Sequence, residues 1–282
     1  MAGARQEVAQ AAEALMPEGR RMNQQLTDFT RFAGELADTA RTISGRYFRQ
    51  PLKVEHKSAD QPVTIADHET EAALRQLIQK HFPDHGIFGE EYGRQDVDRR
   101  YTWVIDPIDG TKSFITGMPL FGTLIALLEH GRSVLGVIDM PALDERWVGV
   151  KGRPTLFNGK KSTTRHCEQL SHAVLYTTSP ETFRDADAKA YAALSSSVQL
   201  RRFGGDCYIF GLLALGFIDL ALEAELQPYD YLALVPVIEG AGGCISDWQG
   251  KPLDLFSDGR VIAAGTPSLH EQALTLLDRQ HS

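Results

Sequence analysis

From Leu26 to Phe48, apolar side chains recur at Leu26, Phe29, Ala33, Leu36, Ala37, Ala40, Ile43 and Tyr47, a spacing that predicts a helix with one buried stripe. Ala73, Leu74, Leu77 and Ile78 predict a second helix, from about Asp67 to His81, which "FPDHG" stops. Thr64 and Asp67, three apart at its start, form a capping-box pattern in which hydroxyl and carboxylate satisfy N–H groups of the first turn. After Tyr92 the period shortens. "YTWVID", "GTLIALLEHG", "SVLGVIDM" and "ERWVGVKG" read as strands, with "EHGR" as a hairpin bend. With the two helices they predict an α+β half, residues 23–165, whose antiparallel or mixed sheet is covered on one face. From about Ser171, strand and helix patterns alternate: "AVLYTT", "RDADAKAYAALSSS", "VQLRRF", "CYIFGLLALG", "IDLALEA", one helix over "YDYLALVPVIEGAG", strands at "CISDW" and "VIAAG", and a last helix at "PSLHEQALTLLDRQ". That alternation predicts an α/β half with a parallel or mixed sheet over 166–282.

Residues 1–22 contain alanines but no basic stretch followed by an apolar core, so they read as an extension and not as a secretion signal. The longest apolar runs, "LIALL" and "IFGLLALGFI", are too short to span a bilayer, which needs about 20 residues. No membrane contact is expected. Cys167, Cys207 and Cys244 are odd in number and far apart, against a disulfide framework or a CxxC metal site, and a reducing cytoplasm fits them best. A formal net charge of -8 argues against a broad nucleic-acid-binding face.

The acid is placed in a way that suggests chemistry. In "WVIDPIDGT", the strand delivers Asp106 at its end, Pro107 fixes the chain, and Asp109 turns back beside Asp106. Two carboxylates that close repel unless a cation lies between them, and an all-oxygen donor set suits Mg²⁺, Mn²⁺ or Ca²⁺ over zinc. Gly110 and Thr111 follow, where turn amides suit phosphate oxygens. Further carboxylates occupy loop-like places: Glu90 and Glu91 in "FGEEYG", and Asp230 in "QPYDY". Singly, each also reads as a cap or a solvated side chain.

The ordered set "KSADQPVTIAD", "GEEYG", "WVIDPIDGTKSFITGMPLFGTLIAL", "RRFGGDCYIFGLLALGFIDLALEAELQPYDYLAL" and "EGAGG" resembles the inositol monophosphatase family of metal-dependent phosphatases, closest to its histidinol-phosphatase branch. The resemblance runs from about Leu26 to the C-terminus. It implies a layered αβαβα fold, a homodimer, and two Mg²⁺ ions held by Glu90, Asp106, Asp109, Asp230 and the carbonyl of Ile108. Asp106 would bridge them, and a third, weaker ion would lean on Glu90; Mn²⁺ could replace Mg²⁺. It also implies that Thr111 orients the attacking water with Asp67 accepting from its hydroxyl, that Glu90 takes the proton, and that Gly110, Thr111 and Lys57 bind phosphate. Two ions of this kind clamp a phosphate, activate water and stabilise the leaving alkoxide without a phospho-enzyme. Competing chemistries do not match: "DPIDGT" is not the DxDxT of a haloacid-dehalogenase nucleophile, and Leu213 stands where a cysteine phosphatase needs Arg after Cys207.

Glu223, seven residues before Asp230, stands where the family places an acid on the leaving alcohol. Asp206 in "GGDCY" adds a carboxylate where inositol-hydrolysing relatives carry a small or neutral residue. With neighbouring Gly205 and Arg202, these form the candidate substrate-binding set. Charge complementarity then favours the cationic amino alcohol histidinol over inositol. Two simpler roles remain open for Asp206: capping the helix at "CYIFGLL", or pairing with Arg202. The expected activity is Mg²⁺-dependent hydrolysis of L-histidinol phosphate, a step of histidine biosynthesis, with inositol 1-phosphate or another small ester as the alternative substrate.

Overall fold

The structure, a computed structural model, describes residues 18–58 and 61–279, with side chains from residue 23 onward except at 56–61. Helix α1 (Glu18–Tyr47) precedes a short hairpin, β1 (Glu55–Ser58) and β2 (Gln61–Val63), and α2 (Ile65–His81). Then follow β3 (Gly86–Gly89), β4 (Gly93–Gln95), β5 (Tyr101–Asp109), the single turn α3 (Thr111–Ile115), β6 (Gly122–Glu129), β7 (Arg132–Met140), β8 (Glu145–Val150), β9 (Leu156–Phe157) and β10 (Lys160–Lys161). The C-terminal part comprises β11 (Val174–Thr177), α4 (Asp185–Ser197), β12 (Leu200–Phe203), α5 (Tyr208–Ala214), β13 (Leu220–Glu223), α6 (Pro228–Tyr231), α7 (Leu234–Gly240), β14 (Cys244–Ser246), β15 (Val261–Ala264) and α8 (Pro267–Asp278).

The capping box forms. Thr64 Oγ1 accepts from Ala66 N at 3.1 Å, and Asp67 Oδ2 accepts from Thr64 N at 2.8 Å, so α2 begins two residues before the expected Asp67. The "EHGR" bend is a two-residue hairpin turn on His130 and Gly131, both at positive φ (50° and 74°), whose twist suits the flanking strands.

Eight strands form one sheet in the order β10-β9-β8-β7-β6-β5-β3-β4, antiparallel except for the β3–β5 pair. The expectation that one face is covered is corrected. Trp103, Ile105, Ile125 and Leu127 pack against Phe29, Phe32 and Leu36 of α1, while Val104, Leu124, Ala126 and Leu128 point the other way into a cluster with Phe210, Leu213 and Val237. An unbroken apolar run such as Leu124 to Leu128 has no polar face to leave in water, so both sides must be covered. The second sheet has five strands in the order β12-β11-β13-β15-β14, parallel between β12, β11 and β13 and antiparallel beyond. Ala221, Val261 and Ala263 face the same central cluster as the first sheet, and Leu175, Leu222 and Ile262 face Leu194 of α4 and Leu269, Ala273 and Leu277 of α8. The result is the five-layer αβαβα stack. Its middle helical layer, α5 to α7, is buried between the two sheets.

Candidate active site

β5 continues through the "DPID" motif instead of ending at Asp106, and the geometry there answers a problem of period. Residues three apart on a regular strand point to opposite faces. Here Asp106 pairs with Leu124 and Asp109 with Gly122, so the β5 side carries one residue more than its partner. This bulge turns both carboxylates to one side. Thr123 Oγ1 donates to Pro107 O at 2.9 Å, and Ile108 N donates to Asp106 Oδ1 at 3.0 Å, which holds the bulge in shape. The chain then turns at Gly110 (φ 79°), where an added Cβ would lie 2.8 Å from Asp206 Oδ2. Only glycine combines that left-handed backbone with that approach.

Asp230 comes from the far half. The single helix expected over "YDYLALVPVIEGAG" is instead broken into α6 and α7, with Asp230 on the four-residue α6, where its Oδ2 also accepts from Gln227 N at 2.7 Å. Cap and site member are therefore one residue. A carboxylate oxygen from each of Asp106, Asp109 and Asp230 lies within 4.8 Å of the others. Glu90, in the loop between β3 and β4, lines the same cavity of about 580 Å³, with its N–H on Ile105 O at 3.2 Å.

Burial and mutual repulsion govern the titration of this group. Burial, then Glu90, Asp109 and Asp230, raise Asp106 well above the ordinary carboxylate range. Burial, then Asp206, push Asp109 up to about 7, opposed by its bond from Cys207 N at 2.6 Å. Burial, then Asp109, raise Asp230 likewise. Converging oxygen donors that cannot all ionise together are a donor set suited to a hard divalent cation, which would remove the repulsion and hold all of them ionised.

The rest of the cavity wall is also acidic. Asp206 sits at φ 45°, and Ser113 Oγ donates to its Oδ2 at 2.9 Å. The helix-start amide of Cys207 goes to Asp109 Oδ2 and the Asp206 carboxylate takes Ser113 Oγ, so the capping role considered for Asp206 does not hold. Burial raises its carboxyl, while Ser113 and Lys112 hold it down. Glu223, at the end of β13, is 2 % exposed and accepts from Thr178 N at 2.6 Å; burial pushes it up to about 8. Three expectations are corrected. Arg202 lies on the exposed edge strand β12, outside the cavity lining and with no ion pair to Asp206 among the described residues. Gly205 is likewise absent from the lining; its φ of 119° makes the turn that aims Asp206. The Asp67–Thr111 hydrogen bond does not form: Thr111 Oγ1 donates to Ile108 O at 3.1 Å, and Asp67 Oδ2 accepts from Thr64 Oγ1 at 2.7 Å in the helix cap, while its Oδ1 is buried without a partner among the described residues. Burial pushes Asp67 up to about 6. The side chain of Lys57 lies outside the described residues. Sequence reading missed the rim formed by Thr178, Ser179, Glu181, Arg184 and Glu225; the one signal for it was the turn-rich "TTSPETFRD" after a strand.

A fold of two sheets enclosing a helical layer, with an acidic cluster where they meet over a cavity, defines a class: the family model of the inositol monophosphatase family matches residues 25–282, and the chain belongs to that family of phosphatases acting on small phosphate esters. It is 48% identical to the bifunctional phosphatase IMPL2, chloroplastic, of Arabidopsis thaliana, over 89% of this chain and 76% of that protein. It is 37% identical to the histidinol-phosphatase of Chlorobaculum parvum, over 84% of this chain and 93% of that one. A solved inositol monophosphatase from Zymomonas mobilis superposes with a TM-score of 0.83 at 48% identity, covering 89% of this chain and 98% of that one.

Proposed function

We propose that the protein hydrolyses L-histidinol phosphate to L-histidinol and phosphate with Mg²⁺. The observation that carries this reading is the acidic wall beside the carboxylate cluster: Asp206 and Glu223, with Glu181 and Glu225 at the rim, against two cations, Lys112 and Arg184, in the cavity lining. A leaving alcohol that carries an ammonium and an imidazole matches that wall, and a neutral polyol does not exploit it. The histidinol-phosphatase relatives support the same substrate.

Asp106, Asp109, Asp230, Glu90 and the carbonyl of Ile108 would hold the divalent cations, which supply a water of lowered pKa and charge to stabilise the departing alkoxide. The residues of the chain do the remainder. Glu90 accepts the proton of the attacking water, and the Thr111 hydroxyl orients that water toward phosphorus. The amides of Gly110 and Thr111 receive phosphate oxygens. Asp206 and Glu223 fix the organic half so that its ester oxygen leaves in line with attack. The homodimer and the cytoplasmic setting expected from the sequence belong to the same proposal, the latter supported by the free Cys167, Cys207 and Cys244.

A second reading, hydrolysis of inositol 1-phosphate, is favoured by the 48% identity to the Zymomonas mobilis inositol monophosphatase. Steady-state kcat/KM on both esters decides between them. The expected result is a preference for histidinol phosphate of about 10-fold or more, equivalent to about 1.4 kcal/mol in transition-state binding. A tenfold preference for inositol 1-phosphate would refute the proposal.

A further inference from the structure

Glu71 is a buried carboxylate for which the reaction has no direct use. It sits in the middle of α2, 0 % exposed, on a face whose next members at four-residue spacing are Arg75 and Gln79. That face grips the β3–β4 hairpin. Glu71 Oε2 accepts from Glu91 N at 2.6 Å and Oε1 from Tyr92 N at 3.2 Å, so two successive amides of the hairpin loop end on one side chain. Arg75 Nε donates to Glu71 Oε1 at 2.7 Å, and its Nη2 donates to Gly93 O. One turn on, Gln79 Nε2 donates to Gln95 Oε1 at 3.2 Å. Gly89 opens the space, since a Cβ there would lie 2.0 Å from Glu71 Oε1.

The loop so held is three residues long, Glu90, Glu91 and Tyr92, between Gly89 and its partner Gly93 (φ 67°). Its first residue is Glu90. We propose that Glu71 is a positioning residue for Glu90: by fixing the two amides that follow, it sets the direction in which Glu90 enters the carboxylate cluster. A loop this short has no slack, so rotation about the residue 91 and 92 peptides is transmitted to the residue before them. Groups that orient ligands in this way typically change metal affinity or activity by about 10- to 100-fold when altered. This rests on the reading of Glu90 as a cation ligand given above.

The test measures Mn²⁺ affinity of the metal-stripped protein by electron paramagnetic resonance, alongside kinetics and hydrogen exchange. In Glu71→Gln, one acceptor oxygen remains for two amides. Mn²⁺ affinity and kcat should fall about 10- to 100-fold, KM should stay within about twofold, and exchange at Glu91 and Tyr92 should quicken. Glu71→Asp keeps the charge beside Arg75 but withdraws the carboxylate by one methylene, so it guards against loss of folding and should show the same losses in smaller measure. In a Glu90→Gln background the Glu71→Gln penalty should shrink to less than about twofold, because the positioned group is gone. Folded Glu71 variants with wild-type Mn²⁺ affinity, or an undiminished penalty in the Glu90→Gln background, overturn the inference. A Glu90→Gln protein of wild-type affinity overturns the ligand reading and this inference together; weakened Glu90→Gln with unweakened Glu71 variants overturns this inference alone.

Discussion

Asp106→Asn is expected to lower kcat by several orders of magnitude and, in the metal-free protein, to raise Tm. The first effect follows from its place: Asp106 is buried at the bulge, within reach of both Asp109 and Asp230. The second follows from linkage. Its folded pKa lies above the unfolded value, so the folded state holds its proton more tightly. Stability from that group is present at low pH and is lost as pH rises from the unfolded carboxylate value toward the folded one. As pH rises above the unfolded carboxylate value of about 4, the metal-free wild type therefore loses stability that the asparagine variant keeps; Asp109, pushed up to about 7, adds a loss common to both proteins. Added Mg²⁺ should raise the wild-type Tm and leave that of Asp106→Asn nearly unmoved. Thermal melts at two pH values with and without Mg²⁺ check this, and a variant with near-normal turnover contradicts it.

Asp206→Asn should raise KM for histidinol phosphate by about 10- to 100-fold, the size expected when a hydrogen bond to a charged group, worth about 1.5–3 kcal/mol, is weakened. The amide keeps the volume and an oxygen for Ser113 Oγ, so the backbone turn at φ 45° and the Cys207 N–H on Asp109 should persist. kcat should therefore fall less than kcat/KM, and kcat/KM for inositol 1-phosphate should hold or improve. Parallel kinetics on both esters measure it. An unchanged KM for histidinol phosphate would reduce Asp206 to a structural turn residue.

How far the sequence disclosed the site depended on whether a local pattern carried the information. Asp106 and Asp109 were legible because proline, glycine and two acids crowd six residues, and the Thr64–Asp67 cap because its spacing has a mechanism. That both aspartates share one face was not legible: it depends on a bulge defined by the partner strand, at Leu124 and Gly122. The break between α6 and α7 was hidden because the apolar pattern continues across it, although Pro228 lies just before the stretch and Pro236 within it. Glu71 gave no signal, since a glutamate on an amphipathic helix reads as solvated until the hairpin that buries it is known. The apolar runs of β5 and β6 implied cover on both faces, and the expectation of one covered face underweighted them.

The account stands on the claim that acids from distant parts of the chain gather divalent cations which the hydrolysis requires. Phosphate release from histidinol phosphate, measured after exhaustive chelation and again on titrating Mg²⁺ back, addresses it most directly. The account predicts that release falls to background and returns in full with Mg²⁺; release at the untreated rate in the chelated protein would contradict it.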